Sequence, residues 1–449
     1  MSGQARWGSV WVTVLLLVTV LSQVAAEADN GDSQGAATAD VARVSPVVGD
    51  NFRISGAAAT GEESDPEVAY NSTDNQYLVV WHDDRNLAGR GHDIYGRLIE
   101  ADGTPIRQDF RISGPLADHN EWDAAVTYNP VTNQYLVVWE DERNYEARRS
   151  DIYGRRIKAN GRPAGGDFLI SGPAATSDEY DPAVAYNQIL NQYLIVWNEQ
   201  RNAATRGSDI YGRRIKANGR PAGGDFLISG PAATSEELAP AVVYNANANQ
   251  FFVAWQDFRN YPDRGGDIYG RRVTAKGQVA GAEIQISGPA ATGNEWDALV
   301  AYNSTSDQYL VVWGDERNHV TQGRDVYGRR IKANGNLVGA DIRISGPGAV
   351  YIRYHPAVAY SSITNQYLVV WGDNRKSVAR DSDMYGRRVK ATGSPLGHDF
   401  RISDAAGTER ESLPAVAYNS TTNQYLVVWG DDRKSAARKG DIYGQLIAG

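Results

Sequence analysis

Seven times along the chain a tryptophan is followed two residues later by a carboxylate, and two residues after that by an arginine. The first two sets are Trp81, Asp83, Arg85 and Trp139, Asp141, Arg143, and the last is Trp429, Asp431, Arg433. The acid is aspartate in every set except the third, which has Glu199. A spacing of two in an extended segment puts both side chains on one side, so acid and base are placed to meet. A phrase of the type Asp-Ile-Tyr-Gly follows each set and adds another aspartate, Asp93 and Asp151 in the first two. Two chemistries suit this pattern. It could make seven Arg/Asp binding sites, or it could brace a long loop in every unit by ion pairs and hydrogen bonds. Sevenfold occurrence favours the brace, because charges withdrawn from water are normally paired.

Departures from the repeated phrase are better candidates for a single site. Ahead of each Trp motif lies an acidic position: Glu63, Glu121, Glu179, Glu237, Glu295 and Glu411, with Arg353 in the sixth unit. Trp122, Tyr180 and Trp296 follow three of these glutamates, and Asp65, Asp123, Asp181 and Asp297 stand two positions after theirs. This pattern predicts a ring of carboxylates around a channel mouth, with aromatics in the loops between units. Aromatic faces stack on sugar rings, and carboxylates take hydroxyl hydrogen bonds or Ca²⁺. The candidate ligand-binding residues are therefore Trp122, Tyr180, Trp296, Glu121, Glu179 and Tyr351. The competing expectation is a solvated acidic rim with the aromatics packed between units. The sixth unit brings Tyr351, Arg353, Tyr354 and His355 together in sequence. With Glu295 and Glu411 these are the candidates for acid–base catalysis, which needs unlike neighbours. The other histidines, His82, His92, His119, His319 and His398, show no metal-ligand spacing. No cofactor is expected, calcium being the one ion the carboxylates could take.

The elements that must position these residues follow from the repeat. Every interval between equivalent tryptophans is 58 residues, and residues 151–177 are identical to 209–235. Each unit holds four strand-like runs; in the first these are 67–71, 76–81, 93–99 and 109–113. Asn-Gly and Asp-Gly type turns, such as the one at Gly103, suit hairpins. No segment keeps a 3.6-residue period, so no helix is expected outside the N-terminal segment. The run "QYLVVW" is apolar on both faces, as a strand covered on both sides must be. Four antiparallel strands repeated radially describe a seven-bladed, all-β propeller over 51–449. The lone "NFRIS" at 51–55 precedes any blade, and the chain ends without an outermost strand. The first strand is thus expected to complete the last blade and close the ring, removing two exposed edges. A solenoid would need capping repeats.

An apolar run from Val10 to Leu21 after Arg6, ending in Val24 and Ala26, reads as a secretory signal peptide cleaved near Ala26. Residues 27–50 read as a flexible leader. The protein is then secreted or periplasmic, and a monomer is expected. There is no cysteine, hence no disulfide and no thiolate chemistry. Without residues 1–26 the charge is 44 − 54 = −10, which argues against nucleic acid or an anionic membrane as partner. "GDSQG" at 31–35 matches a nucleophile elbow but has neither the strand nor the helix that motif needs. Asn71, Asn303 and Asn419 begin glycosylation sequons in what read as exposed turns.

The phrase "PAVAYN…QYLVVWxDxR…DIYGR" resembles secreted bacterial β-propellers of the sialidase-like kind over residues 51–449. The resemblance implies the fold. The Ser-x-Asp-x-Gly-x-Thr-Trp box of that family is absent, and its arginine triad and Tyr–Glu pair match no positions here. The expected function is a binding protein, most plausibly for a glycan, working through the face with the longer loops. The alternatives are an extracellular polysaccharide-active hydrolase or lyase centred on Arg353, Tyr354 and His355, and a scaffold for other proteins.

Overall fold

The computed structural model describes residues 46–56, 61–172, 176–230, 235–346, 352–375, 381–404, 410–433 and 439–449. The expected signal peptide and most of the leader lie outside them, as does Tyr351.

The described residues form seven four-stranded antiparallel sheets, one per repeat. In blade 1 the strands run, from the axis outward, Glu63–Asn71, Gln76–Asp83, Asp93–Glu100 and Pro105–Arg111. Blade 7 takes Glu411–Asn419, Gln424–Asp431 and Asp441–Ala448 from the C-terminus and the N-terminal strand Val47–Arg53 as its fourth. The ring therefore closes through chain ends that are remote in sequence. The closing strand begins at Val47, inside the stretch read as leader.

Blade stacking explains the composition of the second strand. Tyr77, Leu78, Val79, Val80 and Trp81 have no exposed surface. Alternate members serve opposite seams: Val79 and Trp81 pack with Leu426 and Val428 of blade 7, while Leu78 and Val80 pack with Val137 and Trp139 of blade 2. A single sheet would leave one of these faces wet. Gly96, in the third strand, has a packing reason: a Cβ there would lie 2.7 Å from Ile112 Cδ1 and 3.0 Å from the Val79 carbonyl. Gly103 turns the outer hairpin at φ +90°, open to glycine at no steric cost.

Three local features differ from the sequence expectation. First, the inner strands start at the glutamates, four residues early, because each contains a β-bulge. In blade 1 the register passes from Ser64↔His82 to Glu67↔Val80, leaving Asp65 and Pro66 unmatched. The bulge breaks the alternation by which a strand is read. Trp122 and Trp296 consequently lie in strands, Glu121–Asn129 and Glu295–Asn303, and not in connections. Second, among the described residues four long loops contain a single helical turn, such as Leu87–Arg90, too short to show a period. Third, the outer strands of blades 2 and 3 shrink to Phe168–Leu169 and Phe226–Leu227. The "GRPAGG" phrase precedes both, and its prolines make only isolated bridges.

Candidate functional site

The Trp-acid-Arg motif is a closed network. In blade 2, Trp139 Nε1 donates to Asp141 Oδ2 (2.8 Å), and Arg143 Nε donates to Asp141 Oδ1 (2.7 Å). Arg143 also reaches Asp167 of the outer strand region (3.1 Å) and lies over the Tyr153 ring, 4.1 Å from its centre. Blade 1 repeats this with Trp81, Asp83, Arg85, Asp109 and Tyr95. Asp93 and Asp151 are buried and accept from Arg111 and Arg148 respectively. Each unit thus spends its motif on fixing the base of its own long loop.

The glutamates do not encircle an open mouth. Glu63, Glu121, Glu179, Glu237, Glu295 and Glu411 are all at most 1 % exposed. They point sideways into the seam with the preceding blade: Glu411 Oε2 accepts from the Met384 amide (2.9 Å) and Glu179 Oε2 from the Ile152 amide (3.3 Å). Burial lifts these carboxyls first, and neighbouring carboxylates add to it (Glu199 for Glu179, aspartates for the others): Glu121 and Glu295 to about 9, Glu179 to about 10, Glu411 to about 8. At neutral pH they are protonated acids. Arg353 occupies the same seam position in blade 6 and is equally buried. It pairs with Asp325 of blade 5 and donates from Nε to Asp373 Oδ2 (3.1 Å).

The next residue in each blade is a spacer. Trp122 stacks on His92 of blade 1 (3.9 Å between ring centres) and meets His82 edge-on. Trp296 packs edge-on to Phe258 and under Arg324. Tyr180 bonds Ser208 and Gln200, and Tyr354 donates to the Glu411 carbonyl. These aromatics are half-buried or more, and none lines the axial cavity.

The axis itself is lined one position further on. Asp65, Asp123, Asp181, Ala239, Asp297, His355 and Leu413 all adopt left-handed φ between 48° and 54° at the bulge. That conformation turns them inward, where they surround a cavity of about 380 Å³ whose deeper wall is Pro, Ala and Val, with Glu67 of blade 1 among them. His355 Nδ1 lies 3.1 Å from Asp297 Oδ2 of the adjacent blade. Among the described residues, Asp123 and Asp181 have no such cation acting on them. Burial lifts Asp65 to about 6, with His355 pulling it down. Burial and then the Asp65 charge lift Asp123 to about 7. Burial and then Asp123 and Asp297 lift Asp181 to about 8. Burial opposes ionisation of Asp297 too, yet His355 and Arg324 hold it below the ordinary carboxylate range. One mouth therefore holds both a proton-bearing and an ionised carboxyl.

Of the catalytic candidates read from the sequence, only His355 reaches this mouth. Arg353, Glu295 and Glu411 are in seams, and Tyr354 is the spacer. Residues that the sequence did not single out stand behind the ring on the second strands: Asn198 Nδ2 donates to Asp181 (2.7 Å), His82 faces Asp65, and the Glu140 carboxyl feels Asp123. The sequon asparagines are a further correction. Asn71, Asn303 and Asn419 are fully buried. Their Oδ1 atoms accept from amides of the turn and their Nδ2 groups donate to the neighbouring blade, so none is presented for a glycan. Among the described residues no group of three or more histidines, aspartates or glutamates has metal-binding geometry, and no helix is long and apolar enough to cross a membrane.

No protein-family model matches the chain, and no curated protein matches it significantly. Solved structures are similar in fold. An α-L-arabinofuranosidase from Fusarium graminearum, solved with an iminosugar inhibitor, superposes at a TM-score of 0.50 and 11% identity, covering 73% of this chain and 93% of that one. A protein of unknown function from Dyadobacter fermentans gives 0.51 at 10%, covering 89% and 98%. A Hadza microbial sialidase gives 0.50 at 12%, covering 83% and 76%. At these identities the likeness is one of fold.

Proposed function

We propose that this chain is a secreted glycan-binding propeller whose ligand seats in the axial mouth on the long-loop face. The observation that carries this reading is the convergence of Asp65, Asp123, Asp181, Asp297 and His355 on one cavity of about 380 Å³. That size falls within the ~300–1,000 Å³ of small-molecule sites. Carboxyls that both donate and accept suit sugar hydroxyls, and the Pro/Ala/Val wall suits the apolar face of a sugar ring. Propellers of similar fold include an arabinofuranosidase and a sialidase, which supports a glycan as the ligand class. Secretion rests on the apolar run at Val10–Leu21 and the small residues Val24 and Ala26.

A second reading, hydrolysis or elimination on a polysaccharide, is favoured by the divergent carboxyls: Asp181 carries its proton to about pH 8 while Asp297 is ionised. Such a split is the way two carboxyls take acid and base roles. The test is to run the purified protein through affinity gels containing soluble polysaccharides, with and without calcium, and to assay the same samples for new reducing or unsaturated ends. Retardation without new ends supports binding alone. New ends that vanish in Asp181→Asn support the enzyme. Absence of both removes the glycan reading.

A further inference from the structure

Blade 1 contains an arrangement that no other blade repeats. Ser64 and His82 are directly opposite each other on the inner and second strands. Ser64 Oγ lies 2.6 Å from His82 Nε2, and His82 Nδ1 lies 3.3 Å from Asp65 Oδ2. The pairs at the same two positions elsewhere are Trp122/Glu140, Tyr180/Asn198, Leu238/Gln256, Trp296/Gly314, Tyr354/Gly372 and Ser412/Gly430. Only blade 1 joins a hydroxyl to an imidazole. We propose that Ser64, His82 and Asp65 are the nucleophile, the base and the positioning carboxylate of an acyl-transfer site for small esters.

The placement is the one nucleophilic catalysis needs: the Ser64 hydroxyl is hydrogen-bonded to Nε2, and a carboxylate oxygen stands 3.3 Å from Nδ1. In the tautomer with its hydrogen on Nδ1, on the side of Asp65, Nε2 is free to take the Ser64 proton. His82 is 6 % exposed and held edge-on by Trp122, so its ring orientation is fixed. Burial pushes its pKa down to about 4, against Glu62, Asp83 and Asp84, so the ring is neutral at pH 7 with Nε2 or Nδ1 open to a proton. Asp65, immediately after the nucleophile, sits in the bulge at φ 52° without a partner in the ladder register. Ser64 is half-buried and adjoins Asp65, which lines the axial cavity.

In the first step the Ser64 Oγ–carbonyl carbon bond forms as the Ser64 proton passes to His82 Nε2. The ester C–O bond then breaks, and the alcohol leaves with that proton. Water next attacks the acyl carbon and gives a proton to His82. The acid departs and Ser64 recovers its proton, so one ester and one water become one acid and one alcohol. This inference stands on blade 1 alone and does not require the ligand to be a glycan.

The test treats the full protein with a fluorophosphonate probe and maps the adduct by peptide mass. One adduct is expected, at Ser64. Its rate, and the hydrolysis of p-nitrophenyl acetate, should fall at least ~100-fold in His82→Gln, the lower end of what a positioned base contributes. Ser412→Ala should change neither. Because the chain has no cysteine, Ser64→Cys supplies a second readout that is independent of any folding loss in His82→Gln. Its single thiol should react with iodoacetamide at pH 6 at least ~10-fold faster than Ser412→Cys, owing to the paired imidazole. No adduct, an adduct at another serine, labelling undiminished by His82→Gln, or equal thiol rates would overturn the proposal.

Discussion

Arg353 Nε donates to Asp373 Oδ2 across 3.1 Å, in the one blade whose inner strand does not begin with glutamate. Its Nη1 pairs with Asp325 of the preceding blade. The same position elsewhere holds a carboxyl between two aspartates, and that carboxyl is tolerated because it keeps its proton. The seam therefore accepts either a neutral acid or a cation, and blade 6 has taken the cation.

This makes a graded prediction for position 353. Arg353→Met removes a fully buried cation and leaves two buried aspartates facing an apolar chain, a change that costs about 3–5 kcal/mol. Arg353→Glu reproduces what six other seams hold, and should cost less than the methionine variant at pH 6. Urea midpoints of the two variants measure the order. The reverse order would show that blade 6 has rebuilt its seam around the guanidinium.

The glutamates also set the pH dependence of stability. Their carboxyls titrate at about 8 to 10 when folded, against 4.5 for an unperturbed glutamate. Between those values the folded state holds protons that the unfolded state has released, so stability falls as pH rises. The stabilising contribution is complete below about pH 4.5 and lost through pH 8–10. The urea midpoint should drop between pH 6 and pH 9, and Glu121→Gln, a permanent neutral stand-in, should make that drop shallower. A midpoint that rises over this range, or a slope untouched by the glutamine, would contradict protonated seams.

The contrast between seam and axis marks where sequence reading reached its limit. The 58-residue period, the four strands and the ring closure by the N-terminal strand were legible, because apolar runs and turn residues repeat without a gap. The division of labour between Glu121 and Asp123 was not. Two residues apart in a regular strand, they would share a face. The bulge at residue 123 and left-handed φ of 49° turn the aspartate to the axis, while the glutamate stays in the seam. A bulge has no composition signature beyond the Asp-Pro or Asp-Ala pair, so both acids looked like one rim. The Ser64–His82 pair was hidden for a related reason. Its members are 18 residues apart, and only the ladder register sets them opposite each other.

The brace gives a prediction about stability alone. Trp139 is fully buried, and its indole N–H has one acceptor, Asp141. Trp139→Phe keeps most of the packing but leaves a carboxylate oxygen short of a donor, worth about 1–3 kcal/mol. Asp141→Ala also strands Arg143, and should cost more, about 3–5 kcal/mol. Thermal and urea unfolding of the two variants check the ranking. Ligand retardation by the folded fraction should be unchanged, since neither residue lines the axial cavity.

The axial ring should show stability and function moving in opposite directions. Burial and then the charges of Asp123 and Asp297 lift the Asp181 carboxyl, so at pH 8 the folded mouth is strained by like charges. Asp181→Asn preserves shape and the capacity to bond, but removes one charge from the ring. It should raise the urea midpoint most at pH 8 and by progressively less as pH falls, the difference vanishing near the ordinary aspartate value of 3.8, where the unfolded carboxyl also takes up its proton. Asp297→Asn should do the opposite, because Asp297 is ionised and paired with His355 at 3.1 Å, and its loss removes the carboxylate that favours the charged form of that half-buried ring. Glycan retardation should weaken in both variants if the mouth is the binding site. Residues kept for packing lose stability when replaced, whereas residues kept for binding can gain it. A stabilised Asp181→Asn that no longer retards would therefore place the ring among the binding residues, and a destabilised one that still retards would return it to the scaffold.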